Sequence, residues 1–217
     1  MTNPKDVALL FSGQCRTLEK CVESIHRIFS KETDKFCHVN LDEDAHKVEL
    51  LDPLCCVIES LSRRMPVSRK MHEQRARETR AQQMLQQLWG LKRTWEVYAQ
   101  SKKKHKWVVR CRYDIEFVND LEDFYDWDCD LIVQKHNNWF GYNDQFGIMR
   151  YEVAERYFTR LNLLDSYIDR GGRLHPERFL KATMESFNIQ RTDLLHNIVR
   201  KDKIDKPQKL LECGDVL

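Results

Sequence analysis

Val7-Ala8-Leu9-Leu10-Phe11 runs directly into Ser12-Gly13-Gln14-Cys15-Arg16-Thr17, and apolar residues then recur at Leu18, Val22, Ile25 and Phe29. An unbroken apolar run of this length reads as a buried strand, and steps of four, three and four mark one face of a helix. Gly13 permits the sharp turn between them, and Thr17 is a reasonable N-cap. A strand, a glycine turn and a helix in immediate succession open an α/β sheet.

The rest of the chain extends that pattern. Strands are predicted at 35–40, which leads to Asp42-Glu43-Asp44, and at 54–59. A long helix is predicted over 73–101, with Met84, Leu88, Leu91, Trp95 and Tyr98 as its buried stripe. The cationic cluster 102–106 suits that helix's C-terminus. Trp107-Val-Val-Arg-Cys-Arg-Tyr113 is the clearest strand, expected to continue into Asp114-Ile115-Glu116-Phe117. Short strands are expected at 131–134 and 146–149. The last third reads as helical, over 153–163 and, after Gly171-Gly172, from Pro176 to Phe187. Alternating elements of this kind predict a doubly wound, Rossmann-like α/β domain: a central, mostly parallel sheet flanked by helices on both faces. Residues 1–217 read as a single domain, with 201–217 as a charged tail.

Composition narrows the function classes. Hydrophobic residues make up 41% of the 217 and charged residues 32%, which fits a folded domain. A formal charge of +2 gives no global attraction to nucleic acid or membrane. No stretch has the length of a membrane span or the layout of a signal peptide, so a cytoplasmic protein is expected, in the host cytoplasm if the chain is viral. The eight cysteines form no C-x-x-C pair and fall mostly in apolar stretches, where they read as reduced core thiols.

In an open α/β sheet, ligands lie beyond the carboxyl ends of the strands, and the candidate residues gather there. Asp114 and Glu116 are two apart, which on a strand puts both carboxylates on one face. Such a pair suits Mn2+ or Mg2+ holding a diphosphate, although a solvated strand end carries the same pattern. Arg110 and Arg112, alternating inside an apolar strand, either pair with acids or meet phosphate. Ser12, Gly13, Gln14 and Arg16 form a turn into a helix N-terminus that favours anions, or a plain connection. Neither a dinucleotide fingerprint nor a P-loop is present. Gly141-Tyr-Asn-Asp144-Gln-Phe146 follows Trp139-Phe140; rings beside amides and a carboxylate suit a sugar, with Asp144 as candidate general base, and the same residues also make ordinary turns. His175 and Glu177 flank Pro176 at a helix start; His175 can cap the helix or ligate a metal and Glu177 can complement the helix dipole, and the structural reading is the favoured one. The basic stretch 63–80, with seven Arg/Lys and two Glu, raises a nucleic-acid-binding alternative, and the carboxylates raise a metal-dependent phosphoesterase.

VALLFSGQCRT at 7–17, the helix around 83–98, WVVRCRYDIEF at 107–117, NDQF at 143–146 and LHPERFL at 174–180 occur in an order that resembles small GT-A-type glycosyltransferases, including those encoded by large DNA viruses of algae. The resemblance reaches to about residue 190. It implies a GT-A fold and transfer of a hexosyl or deoxyhexosyl group from a nucleotide-sugar donor, usually a UDP-sugar, to a glycan or glycoprotein acceptor. It also implies Mn2+ or Mg2+ at a DxD-type motif, which Asp114 and Glu116 match with Glu in place of the second Asp. Ser12, Gly13, Gln14, Arg16 and Arg112 fall on the donor side, Asp144 near the reacting sugar, and His175 and Glu177 in the late segment. No nucleic acid and no membrane span are expected.

Overall fold

The computed structural model of the chain describes residues 4–61, 71 and 78–201. The basic stretch 63–80 lies almost entirely outside these residues, and so does the tail after 201.

The first strand, β1 (Val7–Gly13), is followed by α1 (Leu18–Ile28), β2 (Asp34–Asn40), a 3-10 segment Ala45–Leu51 and β3 (Cys55–Glu59). The long helix α2 (Glu78–Gln100) leads to β4 (Trp107–Cys111), β5 (Ile115–Phe117), β6 (Leu131–Gln134) and β7 (Gly147–Arg150). Three helices follow, α3 (Tyr151–Phe158), α4 (Leu164–Asp169) and α5 (Pro176–Met184), and then two short strands, β8 (Ile189–Thr192) and β9 (His196–Ile198). Seven strands form the central sheet in the order β3-β2-β1-β4-β7-β6-β8. All run parallel except β7, which is antiparallel to both β4 and β6. β5 and β9 pair separately in an antiparallel ribbon. This is the expected α/β, GT-A-like architecture.

Alternation along the strands builds a core on each side. Val7, Leu9 and Phe11 face α1 and the β5–β9 ribbon, together with Leu18, Cys21 and Ile25. Ala8 and Leu10 face α2 and the later helices, against Leu88, Leu91 and Tyr98. The stripe read from the sequence of α2 is buried at every position, from Met84 to Tyr98. Tyr113 stacks on Phe11 with ring centroids 5.4 Å apart, and its hydroxyl donates to the His38 carbonyl at 3.2 Å. Thr94 of α2 donates to the Phe11 carbonyl at 3.1 Å, so the end of β1 is clamped from both faces.

Three expectations are corrected. The strand predicted over 107–117 is two strands: β4 stops at Cys111, and a turn at Tyr113-Asp114 carries the chain out of the central sheet into β5. The last third is not wholly helical, because β8 closes the sheet edge and β9 pairs with β5. Thr17 does not cap α1 with its side chain; its hydroxyl instead donates to the Val199 carbonyl at 2.8 Å. Among the described residues, no helix is long and apolar enough to cross a membrane.

Phe11 has no solvent exposure and holds both Tyr113 and the packing at the end of β1. Phe11→Ala is expected to lower the unfolding free energy by about 3–5 kcal/mol, measured by urea denaturation. A loss below about 1 kcal/mol would contradict this packing.

Candidate active site

Parallel pairing of β1 with β2 and β4 brings three strand ends to one side of the sheet, and there a cleft of about 720 Å³ opens. Its floor is Ser12 and Gly13 at the end of β1, with Asn40 at the end of β2. Gly13 has φ of +125°, a conformation that only glycine adopts without strain, and a Cβ there would meet nothing within 4 Å. Gln83 and Gln87 of α2 line one wall. The segment 198–201 forms the opposite wall, held by Thr17 and by the Val199 amide donating to the Asp114 carbonyl at 2.8 Å.

Charge in the cleft is concentrated at the end of β4. Arg112 forks onto Asp114, with Nε to Oδ1 at 2.7 Å and Nη2 to Oδ2 at 2.6 Å. Burial works against the Asp114 charge, but the attraction and hydrogen bonds of Arg112 outweigh it and hold the carboxyl below its ordinary pKa. Arg110 is only 1% exposed and still lines the cleft. Its Nη1 donates to the Gln145 carbonyl at 2.6 Å, while its Nε has no hydrogen-bond partner. Burial lowers the pKa of this guanidinium, which keeps its charge all the same. Arg16 and Arg200 also line the cleft, with Lys201, whose ammonium is paired with Glu43 and Asp44.

The donor set at Asp114 does not fit a protein-held divalent cation. Both carboxylate oxygens accept from Arg112, which shares them with any metal, and the other charged groups lining the cleft among the described residues are cations, so one carboxylate is the whole anionic donor set. Glu116 lies on β5, opposite Asn197, and is not among the cleft-lining residues. The shared-face geometry expected of Asp114 and Glu116 fails because Asp114 sits in the turn rather than on a strand. No group of three or more His, Cys, Asp or Glu side chains able to hold a metal occurs among the described residues.

Behind the cleft lies a second set of groups. Gln87 reaches from the cleft wall and donates to Asp144 Oδ2 at 2.5 Å. Asp144 is 4% exposed, and Glu177 lies within its electrostatic reach. Burial first, and the Asp144 charge second, push the Glu177 carboxyl up to about 7. His175 Nδ1 is 2.8 Å from Glu177 Oε2. Gln87, Asp144, Glu177 and His175 thus form a row that begins at the cleft wall. The loop before Asp144 exposes Trp139 (61%) and Phe140 (84%), with Arg178 over the Phe140 ring. Asn137, Trp139 and Phe140 all have positive φ. The loop is held in place by Asn143, whose backbone amide donates to Asn138 Oδ1 at 3.0 Å and whose side chain donates to the His136 carbonyl at 3.1 Å. Gly141 presses onto α5 so closely that a Cβ would lie 2.0 Å from the Glu177 carbonyl oxygen.

Of the residues singled out in the sequence, Ser12, Gly13, Gln14, Arg16, Arg112 and Asp114 line the cleft together. Gln14 also donates to Asp42 Oδ2 at 3.1 Å, which ties the turn to the acidic loop after β2. Asp144, Glu177 and His175 form the set behind it, and Glu116 joins neither. Sequence reasoning missed Gln87 and the wall at 198–201. Nothing in the local sequence marks them, since both reach the cleft by tertiary packing. It also missed His196, whose Nε2 donates to Gln145 Oε1 at 2.8 Å while Nδ1 accepts from Gln134 at 2.7 Å. Burial and then the charge of Arg112 push His196 down to about 4, so it is neutral at physiological pH and fixes the orientation of Gln145.

Residues 2–207 match the family described as Domain of unknown function (DUF7796). No curated protein matches the chain. Solved structures similar to it include a glycosyltransferase involved in the glycosylation of the major capsid of PBCV-1, at 10% identity and a TM-score of 0.44, covering 86% of this chain and 82% of that one. Mouse xyloside xylosyltransferase 1, in its apo form, aligns at 13% identity and a TM-score of 0.45 over 85% and 84% of the two chains. The glycosyltransferase GlyE of Streptococcus pneumoniae TIGR4 aligns at 11% identity and a TM-score of 0.50 over 88% of this chain and 46% of GlyE. These structures are glycosyltransferases, as the sequence resemblance led one to expect, and at such identities the likeness is one of fold.

Glu177 makes stability depend on pH. Its folded pKa of about 7 lies above the ordinary 4.5, so the native state binds the proton more tightly than the unfolded chain. That contribution is full below pH 4.5 and is lost as pH rises through 7. Between pH 5 and 8, wild type is expected to lose on the order of 3 kcal/mol relative to Glu177→Gln, measured by urea denaturation at both pH values. Parallel pH profiles for the two proteins would contradict the raised carboxyl. Gly141→Ala is expected to cost at least about 2 kcal/mol in the same assay, because backbone must move to admit the methyl group.

Proposed function

We propose that this chain, which belongs to the DUF7796 family, is a glycosyltransferase that takes a sugar from a nucleotide-diphosphate donor and passes it to a glycan or glycoprotein hydroxyl. A UDP-sugar carrying a hexosyl or deoxyhexosyl group is the donor that the sequence resemblance favours. The observation that carries the reading is the pairing of two sites: a cationic cleft at the carboxyl ends of β1, β2 and β4, and a buried Asp144–Glu177 pair one glutamine behind it. The first suits a diphosphate and the second suits proton transfer.

In this reading the diphosphate lies over Gly13, near Arg110 and Arg112, and the sugar points toward Gln87. The bond between the anomeric carbon and the diphosphate oxygen breaks, and the leaving oxygen keeps the electron pair beside the guanidinium groups. The acceptor hydroxyl oxygen forms the new bond at the anomeric carbon. Asp144 takes its proton if configuration inverts; if configuration is retained, Asp144 instead steadies positive charge on the sugar ring and the departing diphosphate oxygen takes the proton. Gln87, bonded to Asp144, positions that carboxylate. The exposed Trp139 and Phe140 offer faces on which an acceptor sugar can stack.

Release of nucleoside diphosphate from a panel of UDP-, GDP- and TDP-sugars, with and without mixed glycan acceptors, tests the reading. Acceptor-stimulated release is expected with at least one donor, reduced about 10²–10⁴-fold in Asp144→Asn. Hydrolysis of simple phosphate esters without sugar transfer would instead favour a phosphoesterase. Absence of release from every donor would overturn the proposal.

A further inference from the structure

The cleft itself specifies how an anion would be held. Among its described lining residues, Arg16, Arg110, Arg112, Arg200 and Lys201 are cations and Asp114 is the single carboxylate, with both oxygens accepting from Arg112; Lys201 is itself paired with Glu43 and Asp44 outside the lining. A divalent cation entering here would have to share that carboxylate with the Arg112 guanidinium and sit among like charges. A multiply charged phosphate meets no such obstacle. Arg110 is the second, independent pointer. A guanidinium excluded from water is costly unless its donors are met, and Arg110 is 99% buried with its Nε unpartnered. One of its nitrogens is committed to the Gln145 carbonyl, and the side chain borders the open cleft. Arg16 also lines the cleft, exposed, just before α1.

Resting on the glycosyltransferase reading, we infer that the donor diphosphate is bound by guanidinium groups of the chain, Arg110 and Arg16 with Arg112 beside them, and that no protein-held divalent metal is required. Asp114 is then a positioning residue. It fixes the Arg112 fork in one orientation, and through its backbone carbonyl it anchors the 198–201 wall. Arginine suits this work because its planar fork matches two phosphate oxygens at once and its charge persists in a buried setting.

The inference is tested by titration calorimetry of the intact chain with inorganic pyrophosphate, UDP, GDP and TDP, each in excess EDTA and again with Mn2+. Binding in EDTA within about twofold of that with Mn2+ is expected for pyrophosphate and for at least one nucleotide. Affinity is expected to fall as KCl rises, because the contacts are ionic. Arg110→Gln should weaken binding at least tenfold in EDTA, as loss of a charge-assisted contact does. Since Arg110 is buried, the exposed Arg16→Gln is the second variant, with a weakening of roughly three- to tenfold expected and an unchanged melting temperature. Binding that EDTA abolishes and Mn2+ restores would overturn the inference and leave the glycosyltransferase reading standing. Binding in EDTA that is unaffected by both variants would overturn it as well. Failure of every nucleotide and of pyrophosphate in both conditions would remove the donor site itself, and the inference with it.

Discussion

Arg110 is the residue around which the site is organised. Burying its guanidinium at the end of β4 carries a desolvation cost of several kcal/mol, and the surrounding structure answers it piece by piece. The Gln145 carbonyl accepts from one nitrogen, the Asp144 carboxylate supplies opposite charge, and one side opens on the cleft. Each response positions something else. Asp144 is held by Gln87 of α2, Gln145 by His196 of β9, and the loop before them by Asn143. The central sheet, the long helix and the C-terminal ribbon therefore meet at one buried cation.

Much of the fold was legible in the sequence because it rests on local periodicity. The run Val7–Phe11, the α2 stripe and the apolar strands at 107–111 and 131–134 have patterns that burial alone imposes. The misreadings arise where tertiary pairing overrides local pattern. Residues 107–117 look like one strand because the apolar–polar alternation continues through Arg112 and Asp114. The Arg112–Asp114 fork closes the turn there and releases β5 to pair with β9. β8 and β9 are short and half-exposed, so they carry no alternation to read. For the site, Gly13, Arg16, Arg112 and Asp114 were visible as polar residues following apolar strands. Gln87 was invisible because a glutamine on a polar helix face has no sequence signature. Glu116 was misplaced because its role assumed a continuous strand.

The same physics shapes the cleft and the loop before Asp144. The cleft has a cationic, polar lining. The loop carries exposed rings, and its Trp139 and Phe140 lie in the left-handed region, a conformation that costs each about 1–3 kcal/mol. Asn138, Asn143 and the Gly141 contact with α5 hold the loop in that form. Beside Gln87 of the cleft wall lies a pair of carboxyl groups, Asp144 and Glu177, the second pushed up to about 7 by burial and by the Asp144 charge. On the proposed reading, a cationic cleft, exposed rings and a carboxyl pair serve the leaving diphosphate, the acceptor and the proton in turn.

The most direct test of a nucleotide-sugar site is amide hydrogen exchange of the intact chain, with and without saturating UDP-sugar and, in turn, the other nucleotide-sugars. Slowed exchange confined to 12–17, 110–114 and 198–201 is expected, since these segments enclose the cleft. Unchanged exchange there with every donor, or protection arising only over 63–80 on addition of nucleic acid, would contradict the donor site.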